Sequence, residues 1–193
     1  IARIGPNAIT RVAAVLKDDI GTDGTAAVFR LAGIERYLET PPGQMVDERE
    51  VIALHQVLRH ELGLQRARAV SWQAGLRTAD YLLAVRIPKP AQLVLKLLPP
   101  TPGSRILLKA VGKHSWTFAG SGDFRADPGP PVRLTIADCP ICRAASDSPL
   151  PLCDFYAAVF EHLFRTLVSR HARVCETACH ATGAPACIFD ITW

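Results

Sequence analysis

The sequence predicts an α+β domain, and three observations carry that prediction. Apolar residues recur at helical spacing from Asn7 to His114; strand-like segments separated by turn residues take over afterwards; and helices first with an antiparallel sheet later is the order of an α+β fold. At 193 residues, 49% of them apolar, the chain can bury a real core without staples. It is expected to form one domain over 1–193, with a helical part over 1–114 and a second part over 115–193.

Taken in order, Ile9, Val12, Ala13 and Leu16 place a helix over Asn7 to Ile20, with Gly21 as its stop, and a second short helix is expected from Thr25 to Tyr37. The run TPPGQMVDERE reads as a loop leading into a helix start, Asp47 being a good N-cap with Glu50 three residues on, a variant of the capping box. Val51, Leu54, His55, Leu58 and Leu62 share one face of that helix. Leu64 to Ile87 reads as a central helix lined by Trp72, Leu76, Ala79 and Leu83 and ended by Pro88. Two more helices are expected, Ala91 to Leu98 and Ser104 to His114, with PPTPG breaking the chain between them. SWTFAGSGDF and PVRLTIAD read as two strands of a hairpin around DPGPP. Cys153 to Arg170 is a strong helix with Tyr156, Phe160, Leu163, Phe164 and Leu167 inward, and ARVCETACHATGAPACIFDITW reads as two strands around a turn.

The formal charge is +4, with both signs mixed and no basic stripe, so nucleic acid is not an expected partner. No signal-peptide pattern opens the sequence and no apolar run is long enough to span a bilayer, so a cytoplasmic, reducing location is expected. The first residue is Ile rather than Met, so further N-terminal sequence is expected to precede it.

All six cysteines fall between Cys139 and Cys187, which argues for a local site rather than a distributed disulfide framework. With the tail turn centred on Gly183, Cys179 faces Cys187 across the strands, at a Cβ separation of about 4.5–5.5 Å. Cys153 opens the long helix, where the helix dipole would lower its thiol pKa. Cys153, Glu176, Cys179 and Cys187 would give zinc four ligands in a closed structural site. Strict alternation puts Glu176 and Cys179 on opposite faces, so either a bulge lies between them or Cys175 takes the place of Glu176. The CPIC pair, Cys139 and Cys142, is a further candidate. Buried reduced thiols, a redox pair and a disulfide are the competing readings of the same cluster.

From Cys153 onward the sequence resembles the vinyl-reductase-type small-molecule-binding domain family, which includes phenol-sensing bacterial activators and is distantly related to vesicle-tethering transport-complex subunits. In the sensor members a zinc site is built from Cys, Glu, Cys and Cys at the spacing of Cys153, Glu176, Cys179 and Cys187, so the resemblance favours Glu176 over Cys175 and implies the bulge. VDEREVIALHQVLR, AGLRTADYLLAVRIP, HSWTFAGSGDF and CDFYAAVFEHLFRTLV extend the resemblance over nearly the whole chain to the family's bacteriochlorophyll 4-vinyl reductases of purple phototrophic bacteria. It implies a homodimeric α+β domain with an internal pocket, a role in bacteriochlorophyll synthesis, a magnesium tetrapyrrole as ligand, enzymes such as magnesium chelatase or a methyltransferase as partners, and a place on the periphery of the photosynthetic membrane.

Vinyl reduction needs an electron source, and the sequence offers none that is recognisable. AGSGDF lacks the strand and helix that give a glycine-rich loop its meaning, and ferredoxin-like cysteine spacing is absent. A binding protein that carries the tetrapyrrole is therefore the expected function, ahead of a reductase that borrows electrons from a partner and of a ligand sensor. His55 and His114 are the candidate axial ligands to magnesium, and Trp72, Tyr81, Trp116 and Phe118 the candidate walls of the slot. Each also reads as an ordinary core or helix-end residue. Arg77 and Arg86 are candidate partners for carboxylate groups of the ligand.

Overall fold

The computed structural model describes residues 1–193. A two-residue strand, β1 (Arg3–Ile4), leads into α1 (Asn7–Leu31), whose helical path breaks at Gly21, with φ of 74°. A side chain is disfavoured in that backbone region, so the stop read from the sequence is where the helix turns aside before continuing. One turn, α2 (Arg36–Glu39), follows, so the second expected helix divides in two. β2 (Val46–Asp47) pairs with β1, and α3 (Glu48–Leu62) starts on Asp47, whose carboxylate accepts from the Arg49 N–H. The capping box is not formed: Glu50 instead accepts from Arg36 and the Tyr37 hydroxyl.

Helix α4 (Leu64–Tyr81) buries Ala67, Val70, Ser71, Ala74, Gly75, Thr78 and Ala79, a face of small residues in place of the expected Trp72 and Leu76 line. The reason is its neighbour, α8. A Cβ added at Gly75 would stand 2.3 Å from the Phe155 carbonyl oxygen, so only glycine permits that approach. After Tyr81 the helix widens into a π-turn, Leu82–Arg86, ahead of Pro88. The Leu83 carbonyl freed there accepts from Lys89 Nζ at 3.1 Å and Gln92 Nε2 at 2.6 Å, which satisfies an acceptor the helix no longer serves.

Helices α5 (Lys89–Leu97) and α6 (Pro100–Lys113) pack as a pair. The expected start of α6 at Ser104 comes a turn too late, because Pro100 and Pro102 sit in its first turn, where a missing N–H costs nothing. The expected strand over SWTFAGSGDF is also corrected. Trp116–Ala119 forms one helical turn, α7, whose Thr117 carbonyl accepts from the Gly5 N–H at 2.7 Å, and pairing begins only at Asp123.

β3 (Asp123–Asp127), β4 (Val132–Ala137), β5 (Arg173–Ala178) and β6 (Ala186–Thr192) form one antiparallel sheet in the order β3-β4-β6-β5. Helix α8 (Asp154–Leu167) lies between this sheet and α4. Its inward Tyr156 and Phe160 meet Phe189 of β6 and Phe118 of α7, with ring centroids 5.5–6.4 Å apart. One continuous core joins the helical half to the sheet, so the two expected parts are a single unit.

Candidate metal centre

Five elements converge on one sulfur cluster. β4 ends at Ala137, and Asp138, with φ of 53°, turns the chain so that Cys139 and Cys142 both face inward. Cys153 is the N-cap of α8, Cys179 follows β5, and Cys187 lies on β6. All five are fully buried. The sulfur atoms of Cys139 and Cys153 are 3.5 Å apart, those of Cys142 and Cys187 3.3 Å, those of Cys153 and Cys187 3.5 Å, and those of Cys179 and Cys187 3.8 Å.

The register of β5 against β6 explains how Glu176 joins them. Glu176 pairs with Phe189 but Ala178 pairs with Ile188, so the ladder slips by one residue at Thr177. That bulge restores the parity that strict alternation denied, and Glu176 and Cys179 reach the same side. Cys175, which strict alternation favoured, is exposed and pairs in register with Asp190 instead. Glu176 Oε2 accepts from the Cys153 N–H at 2.8 Å, satisfying a donor at the start of α8, while Oε1 is buried without a partner.

Two sets of four donor atoms therefore lie within 4.8 Å of one another: Cys153, Glu176, Cys179 and Cys187, and Cys139, Cys142, Cys153 and Cys187. Such a buried cluster could hold a metal ion. Burial raises the Cys153 and Cys139 thiol pKa values, against the expected lowering of Cys153 by the helix dipole. Desolvation outweighs the dipole here because the sulfur has no water at all. Hydrogen bonds from the surrounding thiols, Cys139 first, move Cys142 the other way. Burial, and then Cys179, push Glu176 up to about 9, so that only a nearby cation would leave it ionised at neutral pH. The buried Arg59 supplies positive charge beside the sulfurs, and its Nη1 donates to the Ile141 carbonyl at 3.0 Å. Arg143, next to Cys142, pairs with the buried Glu48, whose carboxylate also accepts from the Ser121 N–H and hydroxyl, each at 2.8 Å. Sequence periodicity held no hint of these two arginines, since neither belongs to a metal-ligand pattern.

The six pocket candidates are not gathered in this way. His55 is buried, edge-on to Phe155 at 6.1 Å, and burial followed by the charge of Arg59 lowers its pKa to about 3, so it is neutral. Phe118 belongs to the aromatic core, Trp72 is half-buried on α4, and Tyr81 lies under the Arg11 guanidinium. His114 and Trp116 alone are solvent-exposed, at the end of α6 and on α7. The two principal surface clefts, of about 330 and 260 Å³, are lined by none of the six. Arg77 is engaged by Asp18, whereas Arg86 is exposed.

The fold and the thiol-rich sheet define a protein of the vinyl-4-reductase domain class: residues 132–192 match the model of that domain. Over 189 residues the chain is 45% identical to the bacteriochlorophyll synthase 23 kDa chain of Cereibacter sphaeroides, covering 98% of this chain and 90% of that protein. It is 40% identical over 187 residues to the protein of the same name in Rhodobacter capsulatus, covering 97% and 85%. The chain belongs to this family of bacteriochlorophyll synthase 23 kDa chains. An H-NOX protein from S. oneidensis shares the fold at a TM-score of 0.52 and 12% identity, over 97% of this chain and 95% of that one.

Proposed function

We propose that this chain serves bacteriochlorophyll synthesis as a binding protein. It holds a magnesium tetrapyrrole intermediate of the porphyrin or divinyl protochlorophyllide type and positions it for biosynthetic enzymes, and a structural zinc ion keeps its C-terminal part in shape. The family relationship supports the pathway. The observation that carries the structural-ion part is the buried quartet of Cys153, Glu176, Cys179 and Cys187 with Glu176 Oε1 unpartnered, an oxygen that costs free energy unless a cation or donor meets it. Three thiolates and one carboxylate suit zinc by chemistry, and the Cys179–Cys187 separation of 3.8 Å equals the edge of a tetrahedron with about 2.3 Å bonds. Zinc there would be a cross-link between α8, the β5 bulge and β6.

Because Phe118, Tyr156, Phe160 and Phe189 fill the space between helices and sheet, the pigment is assigned to the outer surface, where His114 and Trp116 are free to ligate and stack. Homodimerisation and hand-over to magnesium chelatase or a methyltransferase belong to the same proposal. The test mixes purified protein with divinyl pigment and either NADPH or reduced ferredoxin. A shift of the pigment absorption without conversion is the expected result. Formation of the ethyl product would replace the carrier with a 4-vinyl reductase drawing on a partner's electrons, and an unchanged spectrum would remove both.

A further inference from the structure

The zinc quartet leaves two cysteines without a purpose. Cys139 and Cys142 are fully buried, and their sulfurs lie 3.5 and 3.3 Å from those of Cys153 and Cys187, two members of the first quartet. The second set of four donors uses these same two shared thiols, and they are themselves 3.5 Å apart. We propose that the centre is binuclear. Two divalent cations of zinc's class are bridged by the Cys153 and Cys187 thiolates, one ion closed by Cys139 and Cys142 and the other by Cys179 and Glu176.

Geometry and charge both favour this arrangement. Four sulfurs around one ion at about 2.3 Å stand about 3.8 Å from one another, so the second set needs only a slight expansion to accept its ion. The two-residue spacer of CPIC, turned by Asp138, delivers two thiols to one side. Five thiolates and a carboxylate would be heavily anionic around a single dication. A second dication, with buried Arg59 beside it, leaves one negative charge at the N-terminal end of α8, where a negative charge is favoured. The His180 N–H, 3.4 Å from the Cys187 sulfur, steadies that bridging thiolate. Binding releases the thiol protons to solvent and involves no redox change.

The proposal rests on the first quartet being a metal site, and metal counting separates the two ideas. Full-length protein prepared in zinc under reducing conditions is expected to hold two ions per chain by elemental analysis. Its cadmium-loaded form should give two cadmium resonances, and zinc absorption spectra should show a metal neighbour. The Cys139→Ser/Cys142→Ser variant should keep one ion, as should Glu176→Gln/Cys179→Ser. One ion in the native chain, retained by the Cys139→Ser/Cys142→Ser variant, would overturn the binuclear centre and leave the first quartet standing. One ion lost with that variant, iron with inorganic sulfide, or no metal would overturn both. The cadmium spectrum of the native chain decides the matter even if a variant fails to fold.

A different surface carries a second inference. Between Tyr81 and Gly122 the sequence has no acidic residue but holds Arg86, Lys89, Lys96, Arg105, Lys109 and Lys113. All six are exposed and none is in an ion pair with an acidic side chain. Among them Val85, Leu93, Val94, Leu97 and Ile106 are 50–75% exposed. Leu93, Val94 and Leu97 fall within about 100° of arc on α5. We infer that the α5–α6 face docks on an anionic bilayer surface, its apolar side chains entering the headgroup boundary and its cations meeting lipid phosphates. Co-sedimentation of the intact chain with phosphatidylglycerol vesicles is expected at low salt, to fall at least several-fold at high salt, on pure phosphatidylcholine, in Lys96→Glu/Lys109→Glu and in Leu93→Ser/Leu97→Ser. Absence of binding at low salt would sink the idea. A dimer that Leu97→Ser dissociates, with no vesicle binding, would instead make this face a contact between copies.

Discussion

Helix α8 is held at its two ends by different physics. Its C-terminal half rests on rings: Phe160 meets Phe189 at 5.5 Å and Phe164 stacks on Trp193 at 6.3 Å. Its N-terminal end rests on sulfur and charge, with Cys153 in the thiol cluster, its N–H on Glu176, and Asp154 gripped by the Arg68 guanidinium through bonds of 2.9 and 3.1 Å. Ring packing needs only the exclusion of water and works in any buffer. The sulfur end is good only when protons, ions and oxidation state are right, because five buried thiols and a carboxyl are poor packing material by themselves. One rigid helix thus couples a region indifferent to solution conditions to one governed by them.

The largest expected effect falls on the sulfur end alone. Stripping metal with a chelator should remove about 5 kcal/mol or more, lowering the calorimetric midpoint by about 10 °C or more, with the loss confined to that end. An unmoved midpoint would make the two ends alike and the cysteines mere packing. Next comes Phe189→Ala at the other end, expected to cost about 4 kcal/mol in urea unfolding. That cost should be equal in metal-replete and chelated protein, and a strong dependence on metal would erase the distinction. Gly75→Ala tests the seam between α4 and α8. The added methyl meets the Phe155 carbonyl and Ala158, and about 2 kcal/mol should be lost by overpacking, read by the same unfolding curves.

The smallest effect concerns the strut beneath the CPIC turn. Burial alone would raise the Glu48 carboxyl, but the Ser121 N–H and hydroxyl and Arg143 more than offset it and hold the pKa below the ordinary glutamate value. A carboxyl lowered in the folded state contributes stability above its unfolded pKa and loses it as pH falls through the folded one. In chelated samples, which remove the metal's own pH dependence, native protein should exceed Glu48→Gln by about 1–2 kcal/mol at neutral pH, and the gap should close progressively below about pH 4.5. A constant gap would remove the ionised strut.

What could be read from the sequence followed the range of the forces involved. The Gly21 break, the Asp47 cap and α8 depend on neighbours a few residues away, and spacing shows them. The β5 bulge was legible because alternation is a strict rule, so a parity conflict between Glu176 and Cys179 demanded an extra residue, and Thr177 supplies it. The one-turn α7 was hidden because its aromatic and β-branched residues suit strands; the tertiary bond from Gly5 and the contacts of Phe118 override that preference. The pocket candidates failed to gather for a similar reason. An aromatic side chain that fills a core and one that lines a slot have the same periodicity, and only three-dimensional packing tells them apart. At the sulfur site, the four spaced residues were visible, while the approach of Cys139 and Cys142 required the turn after β4 and the neighbouring helix.

Cys175 stands on the outer face of β5, one position before the glutamate that turns inward. The chain therefore carries a built-in tally of its own state. A maleimide dye should react quickly with a single site on intact protein and with all six on unfolded protein, and a fluorophore placed there would sit beside the slipped ladder without touching the sulfurs behind it.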